Sequence, residues 1–473
     1  MKNILLINPP SGMYIRDDRC QVPVKGISSA LRTPLDLAYM AAVLEQSGNQ
    51  CVIRDYPAER KNWQDLKDDL KQSKFNILII SVTTPTVYGD IIACDIVKEV
   101  DPEILTIAKG AHFAAQDLEI MEHFKSLDIV IRGEYELAVG EIADRKDLSG
   151  VLGITYRING AIKRNPDRPF LENMDILPFP ARHLLNNSLY RRPDTGETMT
   201  SIQTNRGCPA RCVYCLVNLV SGRKIRARSA ENIVREMQAC KEKLGIKNFY
   251  FRADTFTWDK KWMIEVCKNI IERKLNVSWV CNSRVDTIDK ERLEWLKKAG
   301  CWMIGFGIES GDQDILNKMK KGITLKQALD SVSLSRQFGI KTYLFWVLGL
   351  PWETEESIRN TMKFAKKIQG DFAEFHIAYP FPGTEFYNIG LENNLFKAHD
   401  LYRGDVKAGI VGSFNLPKEK LLRYQREITR SYYLSFGRIL RLLSGVKSPK
   451  VLANYITKGY SVLFNRRGTG SNG

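Results

Sequence analysis

The sequence predicts an α/β protein in which two successive strand–helix repeats are followed by a basic helical region. Three observations carry this prediction. Residues 1–150 alternate short β-branched runs with helical patterns, residues 196–395 resume that alternation in six further units, and a hairpin with a proline-rich stretch separates the two. Such alternation produces right-handed crossovers and a parallel sheet covered by helices.

In the first repeat the strands are "NILLIN" (3–8), "QCVIRDY" (50–56), "FNILIIS" (75–81), "ILTIAKG" (104–110) and "DIVIRG" (128–133). Between the first two lies the helix "PLDLAYMAAVLEQSG", with Pro34 suited to its first turn and Gly48 to its stop. We read residues 1–150 as a doubly wound, Rossmann-like domain, in which ligands sit beyond the carboxyl ends of the strands. The loops there are "PPSGMYIRDDRCQ", "SVTTPT", "GAHFAAQD" and "GEYE". Residues 151–195 hold the hairpin "GITYRINGAIKRN", turning at Asn159-Gly160, and the connector "DILPFPARHLL".

The second repeat, residues 196–395, has strands starting at "SIQTN", "NFYFRAD", "VSWVCNSR", "WMIGFGIES", "KTYLFWVLGLP" and "EFHIAYPFPG". Six units suggest a partial (βα)6 barrel, with its chemistry at the C-terminal strand ends. Every unusual cluster falls there. A cysteine loop follows the first strand, Asp254 the second, Arg284 the third, Glu309 and Ser310 the fourth, Gly349 to Trp352 the fifth, and Pro380 to Gly383 the sixth.

The cysteine loop, "RGCPARCVYC" from Arg206 to Cys215, places Cys208, Cys212 and Cys215 within eight residues. Composition decides how to read it. With 44% apolar and 26% charged residues the chain is an ordinary globular one, no apolar run reaches the length of a membrane span, and "MKNILLINPP" is too short for a signal-peptide core. A cytoplasmic, reducing setting is therefore expected, where clustered thiols bind metal before they form disulfides. A structural zinc site closes with four ligands. Three thiolates on a four-iron cluster leave one iron open to substrate. Cys20, flanked by Arg16 and Arg19, is read as a packed residue rather than a nucleophile.

These residues resemble a known family. "RGCPARCVYC" is similar to the cluster loop of the radical S-adenosylmethionine (SAM) superfamily, and "FGIESGDQDILNKMKKG", "VLGLPWETEESI" and "YPFPGTEFY" resemble its later strand ends. Residues 1–150, with "RGEYELAVGEI" before the hairpin, resemble the cobalamin-binding domain that precedes the barrel in one subgroup. The resemblance covers residues 1 to about 395. It implies a 4Fe-4S cluster on Cys208, Cys212 and Cys215, SAM against Tyr214, Asp254, Arg284, Glu309 and Ser310, and cobalamin against Ser81, Thr83, Gly110, His112, Gly133 and Glu134. No Asp-x-His-x-x-Gly string occurs, so no histidine is expected beneath the cobalt.

The implied activity is a cobalamin-dependent radical SAM C-methyltransferase, acting on an unactivated carbon of a small or lipid-like substrate with an external flavodoxin- or ferredoxin-type electron donor. Ring closure, ring contraction or carbon–carbon coupling without methyl transfer is the enzymatic alternative, and an iron–sulfur redox or regulatory protein the non-enzymatic one. Nucleic acid is not an expected partner.

Residues 396–473 lie outside the resemblance. From Lys418 onward the chain carries twelve Lys and Arg against two Glu, so this segment holds most of the net charge of +16. "SYYLSFGRILRLL" reads as a basic amphipathic helix. It either packs on the barrel or touches an anionic membrane surface, at the inner face in a cytoplasmic protein. The terminal "GTGSNG" reads as disordered.

Overall fold

The computed structural model describes residues 1–18, 20–24, 30–401, 411–435, 437–440 and 451–457. The first sheet contains β1 (Asn3–Asn8), β4 (Gln50–Asp55), β5 (Ile77–Ser81), β6 (Leu105–Lys109), β7 (Ile129–Ile131), β8 (Ile154–Ile158) and β9 (Ala161–Arg164); β2 (Tyr14–Asp17) and β3 (Cys20–Pro23) form a separate hairpin. The sheet order is β4-β1-β5-β6-β7-β8-β9, parallel from β4 through β7. Counted along the chain, the parallel strands run 2-1-3-4-5, so the winding reverses between β1 and β5. Ile4 and Leu6 pack under helices Leu35–Gln46 and Glu136–Asp144, whereas Leu5 and Ile7 face helices Trp63–Gln72 and Val87–Val100. Burial on both faces explains why these strands read as continuous apolar runs.

Two features differ from the sequence reading. The 154–164 hairpin is not merely part of a connector; β8 pairs antiparallel with β7 and extends the sheet. The loop after β1 is not loop throughout, since β2 and β3 pair antiparallel within it. Strands of four residues that bury Asp17 carry no apolar signature. Their support comes from elsewhere, with Asp17 paired to Arg252 at 2.8 Å.

The second sheet comprises β10 (Met199–Gln203), β13 (Asn248–Arg252), β14 (Ser278–Ser283), β15 (Cys301–Glu309), β16 (Lys341–Leu348) and β17 (Phe372–Ile377), all parallel and in that order. A short ladder of β11 (Asn205–Arg206) with β12 (Arg226–Ala227) brackets the cysteine loop. Among the described residues β17 pairs only with β16, so the barrel is open, and helix Lys418–Tyr433 covers that edge. Gln425 donates to the Phe375 carbonyl at 2.6 Å, Tyr432 to that of Gly370 at 3.0 Å, and Tyr433 to that of Ala373 at 2.7 Å. An edge strand left bare would invite pairing with another chain.

This part of the basic segment therefore packs on the protein, burying Leu421, Tyr424, Ile428, Tyr432 and Tyr433. Arg438 stacks on the Tyr432 ring at 3.4 Å from its centroid and donates to the Ile368 carbonyl beyond helix Glu355–Lys367. Phe436, the last three residues of "SYYLSFGRILRLL" and the whole of "GTGSNG" lie outside the described residues. Among the described residues no helix is long and apolar enough to cross a membrane.

Candidate active site

The carboxyl ends of the two sheets meet, and the cysteine loop lies at that junction. Its start is held by the β11–β12 ladder and by Asp254, whose Oδ2 accepts from the Gly207 N–H at 2.7 Å. Gly207 has φ +93°, and a Cβ there would overlap the Lys224 carbonyl oxygen, so only glycine lets the chain turn. Farther along, Val213 N donates to the Met319 carbonyl at 3.1 Å and its own carbonyl accepts from Phe386 N at 2.9 Å. The loop is thus anchored to distant parts of the barrel.

Cys208, Cys212 and Cys215 are free, half-buried thiols lining one cavity of 450 Å³. Among the described residues no three His, Cys, Asp or Glu side chains are disposed to hold a single metal ion. An iron–sulfur cluster asks for something else, one thiolate on each of several irons. Three unpaired thiols on one short loop, open to a common cavity, fit that demand.

Tyr214, Asp254, Arg284 and Glu309 line the same cavity. Glu309 has φ +69° beside a break in the β15–β16 register, and its carboxylate accepts from Lys321 Nζ at 2.7 Å. A Cβ at Gly307 would collide with both partners, so the glycine makes room for the pair. Burial, and then the Glu309 carboxylate beside it, pushes the Tyr214 phenol well above its usual range. Arg284 makes two hydrogen bonds to Asp286, both 2.9 Å, and one to the Lys321 carbonyl at 2.8 Å. It thereby ties the third strand end to the fourth.

Ser310 does not join this group. Its hydroxyl lies 3.2 Å from Thr361 Oγ1 and accepts from Asp312 N at 3.2 Å, facing helix Glu355–Lys367. The chain leaves the strand through the left-handed turn at Glu309, and the two side chains part there, Glu309 into the cavity and Ser310 toward the helix.

None of the six residues expected against cobalamin lines the large cavity. Ser81 ends β5 and Thr83 follows it at the switch point, where Ser81 donates to Asp36 at 2.8 Å and Thr83 N to Asp90 at 3.1 Å. Gly110, after β6, passes so close to Val82 that a Cβ would overlap its carbonyl oxygen. His112 is buried, and burial pushes its pKa down to about 3, keeping the imidazole neutral. Gly133 and Glu134 border a cleft of about 30 Å³ between the sheets, beside Arg206, Arg252 and Asp254. Glu134 is turned toward the barrel: it pairs with Arg206 at 3.0 Å and Arg226 at 2.9 Å and accepts from Leu171 N at 2.6 Å. The Cys20 side chain lies outside the described residues.

Several lining residues escaped the sequence reading. Lys321 follows the fourth strand's short helix, Gln425 comes from the C-terminal helix, and Ile15, Gln21 and Val22 come from the β2–β3 hairpin. Glu374 and His376 on β17 also face the cavity. These two carried a signal, ionisable residues two apart in an apolar strand. His376 Nε2 lies 3.6 Å from Glu374 Oε2, which also accepts from Tyr343 at 2.8 Å. Burial works against charge on both, yet their attraction wins, lowering the pKa of Glu374 and raising that of His376.

The radical SAM superfamily model matches residues 202–365. Over 435 residues, 91% of this chain and 92% of the relative, the sequence is 31% identical to an uncharacterized methyltransferase of Pyrococcus horikoshii. It is 25% identical over 476 residues to the cytidylyl-2-hydroxyethylphosphonate methyltransferase of Streptomyces wedmorensis, covering 87% and 86% of the two chains. In fold it is similar to the radical SAM methyltransferase TsrM of Kitasatospora setae, solved with cobalamin and a [4Fe-4S] cluster, with TM-score 0.69 at 16% identity over 91% and 88% of the chains.

Proposed function

Because this chain belongs to the radical SAM superfamily, we propose that it is a cobalamin-dependent radical SAM enzyme that methylates an unactivated carbon of a small or lipid-like substrate. The observation that carries this reading is the convergence of Cys208, Cys212, Cys215, Tyr214, Asp254, Arg284 and Glu309 on one cavity at the strand ends. Cys208, Cys212 and Cys215 would hold the 4Fe-4S cluster, and Tyr214, Asp254, Arg284 and Glu309 the SAM. Ser81, Thr83, Gly110 and His112 stand at the carboxyl edge of the first sheet, where cobalamin would sit. The bound groups supply one-electron cleavage of SAM, for hydrogen-atom removal, and methyl delivery from cobalamin.

The chain's own residues bind, orient and exclude water. Lys321 and Arg284 bring positive charge to the thiolate end, and Glu309 offers a carboxylate for a cationic amine. Ile15, Val22, Phe345, Val347, Ile377 and Phe381 make much of the remaining wall apolar, which keeps water from a reactive centre. We place the enzyme in the cytoplasm with an external flavodoxin- or ferredoxin-type donor. Contact with the inner face of a membrane would fall to residues after Tyr433, because helix Lys418–Tyr433 is occupied against β17.

The test is anaerobic reconstitution followed by incubation with SAM and a reductant. The wild-type protein should bind one four-iron cluster and yield 5′-deoxyadenosine; Cys208→Ala, Cys212→Ala and Cys215→Ala should each yield none while keeping the melting temperature of the cluster-free wild type. Any of these variants that still forms 5′-deoxyadenosine defeats the radical assignment. Methyl-labelled SAM supplied with cell extract then separates methyl transfer, where label enters the product, from ring closure or coupling, where it does not.

A further inference from the structure

The cavity has a second ionisable end, carried by β17, the opposite edge of the sheet from β10 and its cysteine loop. Glu374 and His376 face inward while Ala373 and Phe375 are buried behind them. The fold does not require charge there, because β16 fills the neighbouring inward positions with Phe345 and Val347. Placing two ionisable groups in such a wall costs desolvation.

The pair is also incompletely satisfied. Glu374 is held by the Tyr343 hydroxyl at 2.8 Å, and Arg32, with its guanidinium 4.4 Å from the Tyr250 ring centroid, adds positive charge nearby. Among the described residues His376 has only the 3.6 Å approach to Glu374, longer than a normal hydrogen bond, and a more distant attraction to Glu309. Its ring therefore retains N–H capacity for a ligand. Ile377, Tyr379 and Phe381 line the same cavity with Phe345 and Val347, so apolar wall and a few placed polar groups occur together there, the usual form of a small-molecule site.

We propose that His376, oriented by Glu374, donates a hydrogen bond to an oxygen of an otherwise apolar substrate, a hydroxyl, carbonyl or carboxylate, and so fixes which carbon faces the cysteine loop. The last clause rests on the function proposed above. Replacing a hydrogen atom by a methyl group moves no proton through the protein, so the pair is a positioning device.

The test uses full-length protein without cluster or SAM and three probes of similar size: cyclohexanol, cyclohexanecarboxylate and methylcyclohexane. Binding is followed by NMR of histidine labelled at Cε1, the His376 signal being the one missing from His376→Leu. We expect both oxygenated probes to shift that signal, to bind His376→Leu about tenfold more weakly, consistent with a hydrogen bond to a charged donor, and to bind Glu374→Gln more weakly as well. Methylcyclohexane should bind all three proteins alike. Stronger binding of the carboxylate than of the alcohol identifies an anionic substrate, and equal binding a neutral oxygen. Equal affinity of the oxygenated probes for wild type and both variants, with folding verified by melting temperature, overturns the proposal. A protein that binds cyclohexanol through His376 but never cleaves SAM refutes the enzymatic reading and leaves this subsite standing.

Discussion

Arg206 Nη1 stands 3.0 Å from Glu134 Oε1, both side chains buried, so the residue two before Cys208 is tied to the loop after β7 of the first sheet. Glu136 takes the other guanidinium nitrogen, and Arg226 shares Glu134. Two carboxylates and two guanidiniums thus neutralise one another at the junction of the sheets. The start of the cysteine loop hangs from this group.

Arg206→Met should leave Glu134 and Glu136 short of a partner. Breaking a buried pair from one side costs about 3–5 kcal/mol, and denaturant unfolding should show a loss of that order. Iron content after reconstitution should fall as well, since the loop start loses its anchor. Unchanged stability would mean that water already reaches these groups.

Acid should loosen the same junction. Burial raises the pKa of Glu134, but Arg206 and Arg226 outweigh it and hold it below its ordinary 4.5; Glu236, between Arg228 and Arg182, is lowered in the same way. A depressed carboxylate contributes stability that is complete above its unfolded pKa and is lost as pH falls through the folded value. The share of stability that these carboxylates contribute should therefore hold down to about pH 4.5 and be lost below it, read as a falling melting temperature in acid. Glu134→Gln should lose stability near neutrality and show a shallower acid decline.

Glu353 predicts the opposite slope. Burial pushes its pKa up to about 7 even though the Gly349 and Leu350 N–H groups donate to it, and Oε1 has no hydrogen-bond partner among the described residues. Its contribution is complete below its ordinary 4.5 and is lost as pH rises through about 7, at about 1.4 kcal/mol for each pH step between the two. Glu353→Gln keeps one acceptor for those N–H groups and cannot ionise. Its melting temperature should exceed the wild type's at pH 9 and lose that advantage at pH 5.

Gly207→Ala should disable the cysteine loop without touching a cysteine. Both the positive φ and the Lys224 carbonyl stand against any side chain. Iron binding after reconstitution should be largely lost, whereas Ala210→Ser in the same loop should keep it. Normal iron content in Gly207→Ala would show that the loop can take another path.

The C-terminal helix offers a test of packing against membrane contact. Tyr432→Ala removes a fully buried ring, a change that typically costs about 3–5 kcal/mol, and should lower the melting temperature. A chain ending at Pro417 exposes the β17 edge and should aggregate. A chain ending at Leu440 keeps the helix and should remain soluble, and comparing its sedimentation on anionic liposomes with that of the full chain isolates the later basic residues. Equal sedimentation would remove the case for membrane contact by the residues after Leu440.

The local pattern was sufficient for both parallel sheets. "NILLIN" and "NILIIS" are continuous apolar runs because each strand is covered on two faces, and the helix from Leu35 stops where Gly48 follows it at φ +76°. The cysteine loop was equally legible, because three thiols in eight residues after a strand have few other uses. Such properties depend on neighbours in the chain, and periodicity and spacing report them directly. Pairings between distant segments leave no such trace. Nothing local says that Glu134 would turn from its expected ligand to Arg206, that Asp17 would stabilise a hairpin through Arg252, or that Gln425 would reach the cavity wall. Ser310 was assigned with Glu309 because they adjoin, and backbone geometry at the strand end sent them to opposite sides. The sequence by itself determined the elements and the cysteine loop; which charged side chains meet each other and which face the cavity was decided only when the two sheets packed together, because a buried charge takes whichever partner the tertiary contact brings within reach.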